Sequence, residues 1–394
     1  MHAYATDDPV FLAMNAKAQR DTGGAIGTFC LECHAPLAVR AGVKADAQSL
    51  SALAPPQRGV TCFFCHSADA TTGDRNAPLH LASDGVLRGG VRDPLPSPHG
   101  SAYSPLHDRD GLASAPLCGS CHDIRTPAGV DVATTFAEWQ TTLFAHDVAG
   151  MRLSCGSCHM TGTPAPIVTT AGAPMRSLHD HSMPGVDVAL GPFPQADAQR
   201  AAVQSNLDPS LVVKLCVSPP SAGANVKLSL DNAFVGHGFP SGASYDRRVW
   251  AELVAWKGDA IVYQSGVVPE GSSVLSLVDP DLWLFRTKLT DAAGAEVLYQ
   301  WQAAAAAPSF VPPAVTRDPM SPAYYHAVTR DYAVPLDADR ITARVLVSPI
   351  DALVLADLVA SGDLDPAIAA KMPRFVLGGS AKEWTKAMGY TCVQ

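Results

Sequence analysis

No stretch of 18 consecutive apolar residues occurs in this chain, so no segment of it reads as a membrane-spanning helix. Charge is sparse, at 16% of residues, while hydrophobic residues reach 47%; that balance excludes a disordered chain and fits a globular one. No Gly-x-Gly-x-x-Gly follows a strand-like run, no phosphate-binding loop is present, and no catalytic triad is recognisable. Nucleotide and hydrolase chemistry therefore lack support. Basic residues are in deficit, 28 against 37 acidic ones, for a formal charge of −9. A chain this acidic argues against nucleic acid and favours basic or metal-oxide partners. No leader is visible: Met1-His2-Ala3-Tyr4 runs straight into Asp7, Asp8 and Pro9, without a basic flank or a long apolar core.

What the sequence does have is Cys-x-x-Cys-His, four times before residue 160. The copies are Cys30–Cys33–His34, Cys62–Cys65–His66, Cys118–Cys121–His122 and Cys155–Cys158–His159. Composition alone would give roughly 0.01 copies in a chain of this length, so four are not chance. This is the c-type haem attachment signature. On a helical turn, residues i, i+3 and i+4 share a face. Two thiols so placed can form thioethers to one porphyrin, and the following His points its imidazole at the iron. The competing reading is paired tetrathiolate zinc sites, but zinc would not require a His after every second Cys. Four covalently attached haem c groups are the expected cofactors. With two propionates and a ferric core each, they take the charge to about −13, and to about −17 when reduced. Haem attachment of this kind takes place outside the cytoplasm. The protein is thus expected in the periplasm or outside the cell, with the numbering starting near the mature end of a precursor.

Of ten cysteines, eight belong to the motifs, leaving Cys216 and Cys392. In an oxidising compartment two leftover thiols are expected to pair. The texture of the chain changes near residue 205. Residues 1–205 are expected to form a loop-rich tetrahaem domain with few helices, too short for an aliphatic core around each haem. Pro9–Gln19 reads as a helix, and Val132–Phe144 as another with Phe136, Trp139, Leu143 and Phe144 on one side. Arg92–Pro105 reads as loop. Residues 206–394 are expected to form an antiparallel β-sandwich, giving an α+β chain overall. Its strands are expected at Leu211–Val217, Val226–Leu230, Trp250–Trp256, Ile261–Gln264, Trp283–Thr290, Glu296–Trp301 and Ile341–Val347. Short helices are expected at Ala352–Ala360 and Asp365–Met372.

Nine histidines lie outside the motifs: His2, His80, His99, His107, His146, His179, His181, His237 and His326. Four irons with two imidazoles each need only four of them. Met is also a possible ligand, but Met160, directly after His159, is badly placed to reach the far face of its own haem. His237 lies between two glycines, where backbone can approach a porphyrin closely. Phe63 and Phe64 are expected to pack against a porphyrin edge. Trp139 is either an electron stepping stone or core. Arg247-Arg248 either neutralise propionates or mark an exposed strand end.

With these residues in view, the N-terminal part resembles the multihaem cytochrome c family related to the tetrahaem electron acceptor of nitrifying bacteria. Its opening Met-His-x-x-Ala matches Met1–Ala5, which implies His2 as a distal ligand. The Cys-x-x-Cys-His-Met motif matches Cys155–Met160, and the following His-rich stretch matches His179–Gly185, which implies His181 or His179. A Pro-rich stretch ahead of Cys118–Asp123 implies His99 or His107. The C-terminal half is similar to the β-domain of some multihaem proteins, with its Gly-His-x-Phe-Pro-x-Gly loop at Gly236–Gly242. His2, His99, His181 and His237 form the preferred distal set.

Three functions fit. The first is a low-potential electron-transfer cytochrome with bis-His haems, exchanging electrons with redox proteins or extracellular acceptors. The second is a haem oxidoreductase for small nitrogen compounds, with one open iron. The third is a subunit of an extracellular filament, or nanowire, in which His2 ligates a haem of the next copy.

Overall fold

The computed structural model describes residues 1–95, 99–146, 150–221 and 223–394. It divides into two compact units: Met1–Ile124 with Trp139–Val203, and Arg125–Glu138 with Gln204–Gln394. The sequence suggests one break after residue 205, whereas Arg125–Glu138 also groups with the second unit. The fold is α+β, with short helices in the first unit and antiparallel sheets in the second. Among the described residues no helix is long and apolar enough to cross a membrane.

In the first unit, the longest helix is Pro9–Asp21. The Asp8 carboxylate accepts from Val10 N at 3.0 Å, Pro9 occupies the first turn, and Arg20 stands in the last. Its inward face buries Val10, Phe11, Ala13 and Ala18. The other helices wholly within this unit are eight residues or fewer until Ala196–Leu207, which crosses the unit boundary. Between them run small two-stranded pairs, Ala68–Thr71 with Leu79–Leu81 and Gly162–Pro166 with Met175–His179. A third pair, Leu87–Gly89 with Ser101–Tyr103, is parallel and places a strand in the stretch expected to be loop.

The helix expected at Val132–Phe144 is broken into a strand, Asp131–Thr134, a helix, Thr135–Gln140, and a 3-10 turn, Leu143–Ala145. Thr142 explains the second break. Its hydroxyl accepts from Phe144 N at 3.3 Å and donates to Trp139 O at 2.8 Å, so it caps a new turn.

The second unit is built on two principal sheets. One has the order Val328–Tyr332, Ala224–Asp231, Val212–Ser221, Cys392–Val393. The other is centred on Arg248–Lys257 paired with Arg340–Ser348, flanked by Ala260–Ser265 and Phe375–Val376, with Trp283–Phe285 and Lys382–Thr385 alongside. Alternation carries the burial: Val213, Leu215 and Val217 are all inside, as are Val226, Leu228 and Leu230. The Gly258-Asp259 turn closes the expected hairpin. The strand expected over Trp283–Thr290 splits at Arg286, because Trp283–Phe285 pairs with Arg248–Lys257 while Thr287–Thr290 joins a separate three-stranded sheet. Of Glu296–Trp301 only Glu296–Val297 is strand. Ala352–Ala360 is helical as expected, and the last helix is shorter, Pro366–Ala369, started by the Asp365 carboxylate on Ala367 N.

Cys216 and Cys392 face each other in register on antiparallel strands, with Cα atoms 3.9 Å apart, and form a disulfide. Arg248 is neither an exposed strand end nor free for an anionic ligand. It is 1% exposed, with Nε 3.3 Å from the buried Asp351 carboxylate and Nη1 donating to Tyr245 O. Asp351 in turn accepts from Ser273 Oγ and from Leu353 N.

Candidate cofactor-attachment site

All four Cys-x-x-Cys-His copies lie in the first unit, and all four fall on short helices: Leu31–His34 with Cys30 at its cap, Cys62–Ser67, Ala115–His122 and Cys155–His159. The local reasons are visible side chain by side chain. Thr61 Oγ accepts from Phe64 N at 3.2 Å and starts the second helix. Pro116 lies in the first turn of the third. Ser154 and Ser157 cap the fourth reciprocally, Ser157 N reaching Ser154 Oγ and Ser154 N reaching Ser157 Oγ. The first is anchored by Leu31, wholly buried among Phe11, Ala35, Ala38, Leu50 and Leu53. Phe64 is 2% exposed and packs with Ala68, Leu79 and Leu106, so protein core accounts for it, whereas Phe63 is exposed. Trp139 is buried and donates Nε1–H to Leu153 O at 3.1 Å, a core role.

The surroundings of the thiols are uneven: hydrogen bonds from Cys33 and Cys118 lower Cys121 and Cys155, whereas others are raised. Burial pushes Cys30 up to about 11 and Cys65 up to about 12. A hydrogen bond with the Cys121 thiol, reinforced by burial, raises Cys33, and one with Cys155 does the same for Cys118. The third motif therefore meets the first through one cysteine and the fourth through the other. Among the described residues no group of three or more His, Cys, Asp or Glu is arranged to hold a metal ion.

The motif imidazoles are oriented by backbone. His66 Nδ1 lies 2.5 Å from Arg88 O, and His159 Nδ1 lies 2.9 Å from Pro184 O. A ring that donates Nδ1–H to a carbonyl presents Nε2 as its ligand nitrogen. The His34 ring stacks on Phe11 with centroids 4.3 Å apart, and burial brings its basicity down to about 4.

Two pairs of rings have the spacing of axial ligands. Imidazoles bound at about 2.0 Å on opposite sides of one metal hold their centroids about 6.3 Å apart, whatever the angle between ring planes. His2 and His122 are 6.1 Å apart, and His66 and His181 are 6.2 Å apart. His181 Nδ1 lies 2.8 Å from His179 O, which leaves its Nε2 to bind. Backbone fixes His2: its carbonyl accepts from Val60 N at 2.9 Å. Gly59, at φ +64°, admits that contact, since a Cβ there would meet His2 O at 2.6 Å.

The remaining expected ligands are placed differently. His107 stacks near His66 at 5.6 Å, but its Nε2 lies 2.8 Å from Cys65 O, and its buried Nδ1 has no hydrogen-bond partner. His179 ends the strand paired with Gly162 and stands beside Arg109. His99 is exposed, with Nδ1 3.2 Å from Gly100 O. His237 belongs to the second unit, where its Nδ1 lies 2.8 Å from Gly238 O. Its loop is held by the Glu138 carboxylate, which accepts from Gly238 N and Ser241 Oγ. His326, in that same unit, has Nε2 2.9 Å from Asp231 Oδ1, and exposed His80 contacts Asp69.

Sequence reasoning missed Arg109. Its carbonyl accepts from Ser157 Oγ at 3.1 Å and from Ser154 Oγ, and a Cβ at Gly156 would meet its own Cβ at 2.8 Å. It lies 45 residues from Ser154, with nothing in the pattern to link them. The caps too went unread, though Thr61 and Ser154 each stand directly before a motif, a signal that could have found them.

No protein-family description and no curated protein matches the chain. Among solved structures, a penta-haem cytochrome c552 from Thermochromatium tepidum superposes with a TM-score of 0.61 at 17% identity, covering 90% of this chain and 83% of that one. This chain shares the fold of that cytochrome.

Proposed function

We propose that this chain is a tetrahaem c-type cytochrome that carries electrons. Cys30, Cys33 and His34 would hold one haem c, and Cys62, Cys65 and His66 the second. Cys118, Cys121 and His122 would hold the third, and Cys155, Cys158 and His159 the fourth. Bound there, the irons supply one-electron exchange between ferric and ferrous states.

The observation that carries the reading is the pairing of motif imidazoles with a second imidazole at axial-ligand spacing: His2 with His122, and His181 with His66. One imidazole from each side would hold the iron in a bis-His set and leave no place for substrate, which suits a conductor. Within the first unit, His99, His107 and His179 supply the candidates for the other two haems. The acidic charge of −9 favours a basic redox protein or a metal-oxide surface as partner, in the periplasm or outside the cell. Intact mass exceeding the polypeptide by four haems, with no colour extracted by acid-acetone, supports the proposal; release of the colour sinks it. His181→Ala and His2→Ala should each turn one low-spin haem high-spin and CO-binding.

A second reading is an enzyme with one open iron at His34, whose ring stacks on the apolar Phe11. CO binding by the unaltered protein would support it. The filament reading draws on the same His2. Its place against His122 of its own chain supports ligation within one copy, and electron microscopy distinguishes the two.

A further inference from the structure

Arg109 is built into the fourth motif from two sides. Its carbonyl takes hydrogen bonds from both serines that cap the Cys155–His159 helix, and its Cβ closes over Gly156. The carbonyl and Cβ do this, and any residue with a Cβ would supply both, so the guanidinium is left for another task. That side chain is 16% exposed. Its Nε is buried without a hydrogen bond, Nη2 reaches Ser157 O only at 3.4 Å, and a Cβ at Gly162 would lie 2.7 Å from Nη1. Cys158 and His179 are the titratable groups beside it. Of the nearby carboxylates, Asp110 Oδ1 stands 3.4 Å from that same Nε as an ion pair, and at 72% exposure solvent screens it. Asp108 is already engaged by Tyr103 and Arg92.

We infer that Arg109 is a fixed positive charge that raises the reduction potential of the haem attached at Cys155, Cys158 and His159. This rests on the tetrahaem reading. The reduction adds one electron and lowers the charge at the iron by one. A cation held in a poorly solvated place beside the attachment cysteine favours the reduced state. Asp110 opposes it weakly from the solvent side.

The test is a spectroscopic redox titration of the mature protein, with paramagnetic NMR assigning each step to its haem. Arg109→Gln keeps the backbone cap and removes the charge. It should change the ferric-to-ferrous ratio of the haem on His159 about tenfold at fixed potential, a fall of about 59 mV, with the other three steps unmoved. Arg109→Lys should restore most of that shift, and Asp110→Asn should move the same step the opposite way. Unchanged midpoints in Arg109→Gln would overturn the inference. So would an equal shift in Arg109→Lys, which would mean lost packing, or a shift confined to another haem. Intact mass of each variant separates this failure from failure of the haem reading, since four haems must be counted before any midpoint is compared.

Discussion

The two units solve the problem of burial in different ways. In the second, long strands alternate, and Leu215, Leu228, Leu230, Leu253 and Val345 are wholly excluded from solvent. In the first, one buried cluster has seven members of which three are alanine, and another has four. Each cluster sits behind one Cys-x-x-Cys-His helix. The first unit carries all four motif helices, and the second is built on its own hydrophobic faces. If haem is attached as proposed, the porphyrins would supply apolar mass that the side chains of this unit do not.

The largest expected effect follows from that contrast. Made under conditions that prevent haem attachment, the full chain should lose amide-exchange protection at 30–34, 62–67, 115–122 and 155–159. The strands at 212–221, 248–257 and 340–348 should stay protected. Equal protection in both units by exchange mass spectrometry would break the comparison.

Reducing Cys216–Cys392 should act on the second unit alone. The bridge closes a separation of 176 residues, which in the chain-entropy account contributes about 5 kcal/mol. Denaturant titration with and without reductant measures it, and a shift in the haem spectrum at low denaturant would argue that the units do not separate. Leu228→Ala, at a site with no exposure, should cost about 3 kcal/mol in the same titration.

Glu138→Ala should cost about 2 kcal/mol, because Gly238 N and Ser241 Oγ lose their acceptor. Burial holds the Glu138 carboxyl above its ordinary value. A carboxyl raised in the folded state favours folding while it is protonated, and that contribution disappears as pH rises through its folded value. Glu138→Gln should therefore flatten this part of the stability–pH curve, and an unchanged curve would show that the carboxyl is not responsible. The smallest effect belongs to Ser154→Ala, about 1 kcal/mol for a lost helix cap, read as local exchange at 155–159.

The attachment helices, the strands with regular alternation and the disulfide were legible from spacing and count. Cys-x-x-Cys-His carries its own geometry, and two leftover cysteines have one partner each. The helix over Val132–Phe144 was misread because Phe136, Trp139, Leu143 and Phe144 keep helical spacing across a real break at Thr142. The split at Arg286 was hidden because a continuous apolar-polar alternation does not say that a strand changes sheets. Among the expected ligands, His2, His181 and His107 all lie beside motif imidazoles, but His107 turns Nε2 to a carbonyl. That difference depends on backbone atoms 42 residues away. Arg109 left no trace, since its contacts to Ser154 and Ser157 are made by a carbonyl that every residue has.

The membership of Arg125–Glu138 bears on how such a protein can be rearranged. The chain enters the first unit, contributes one segment to the second, returns for its fourth motif, and only then completes the sheets. Neither unit is a contiguous cassette. A gene fusion or recombination event cut near residue 205 would carry off the sheets without Thr134 and Glu138, and so without the carboxylate that receives Gly238 and Ser241. Three crossings of the boundary make the two units heritable only as a pair.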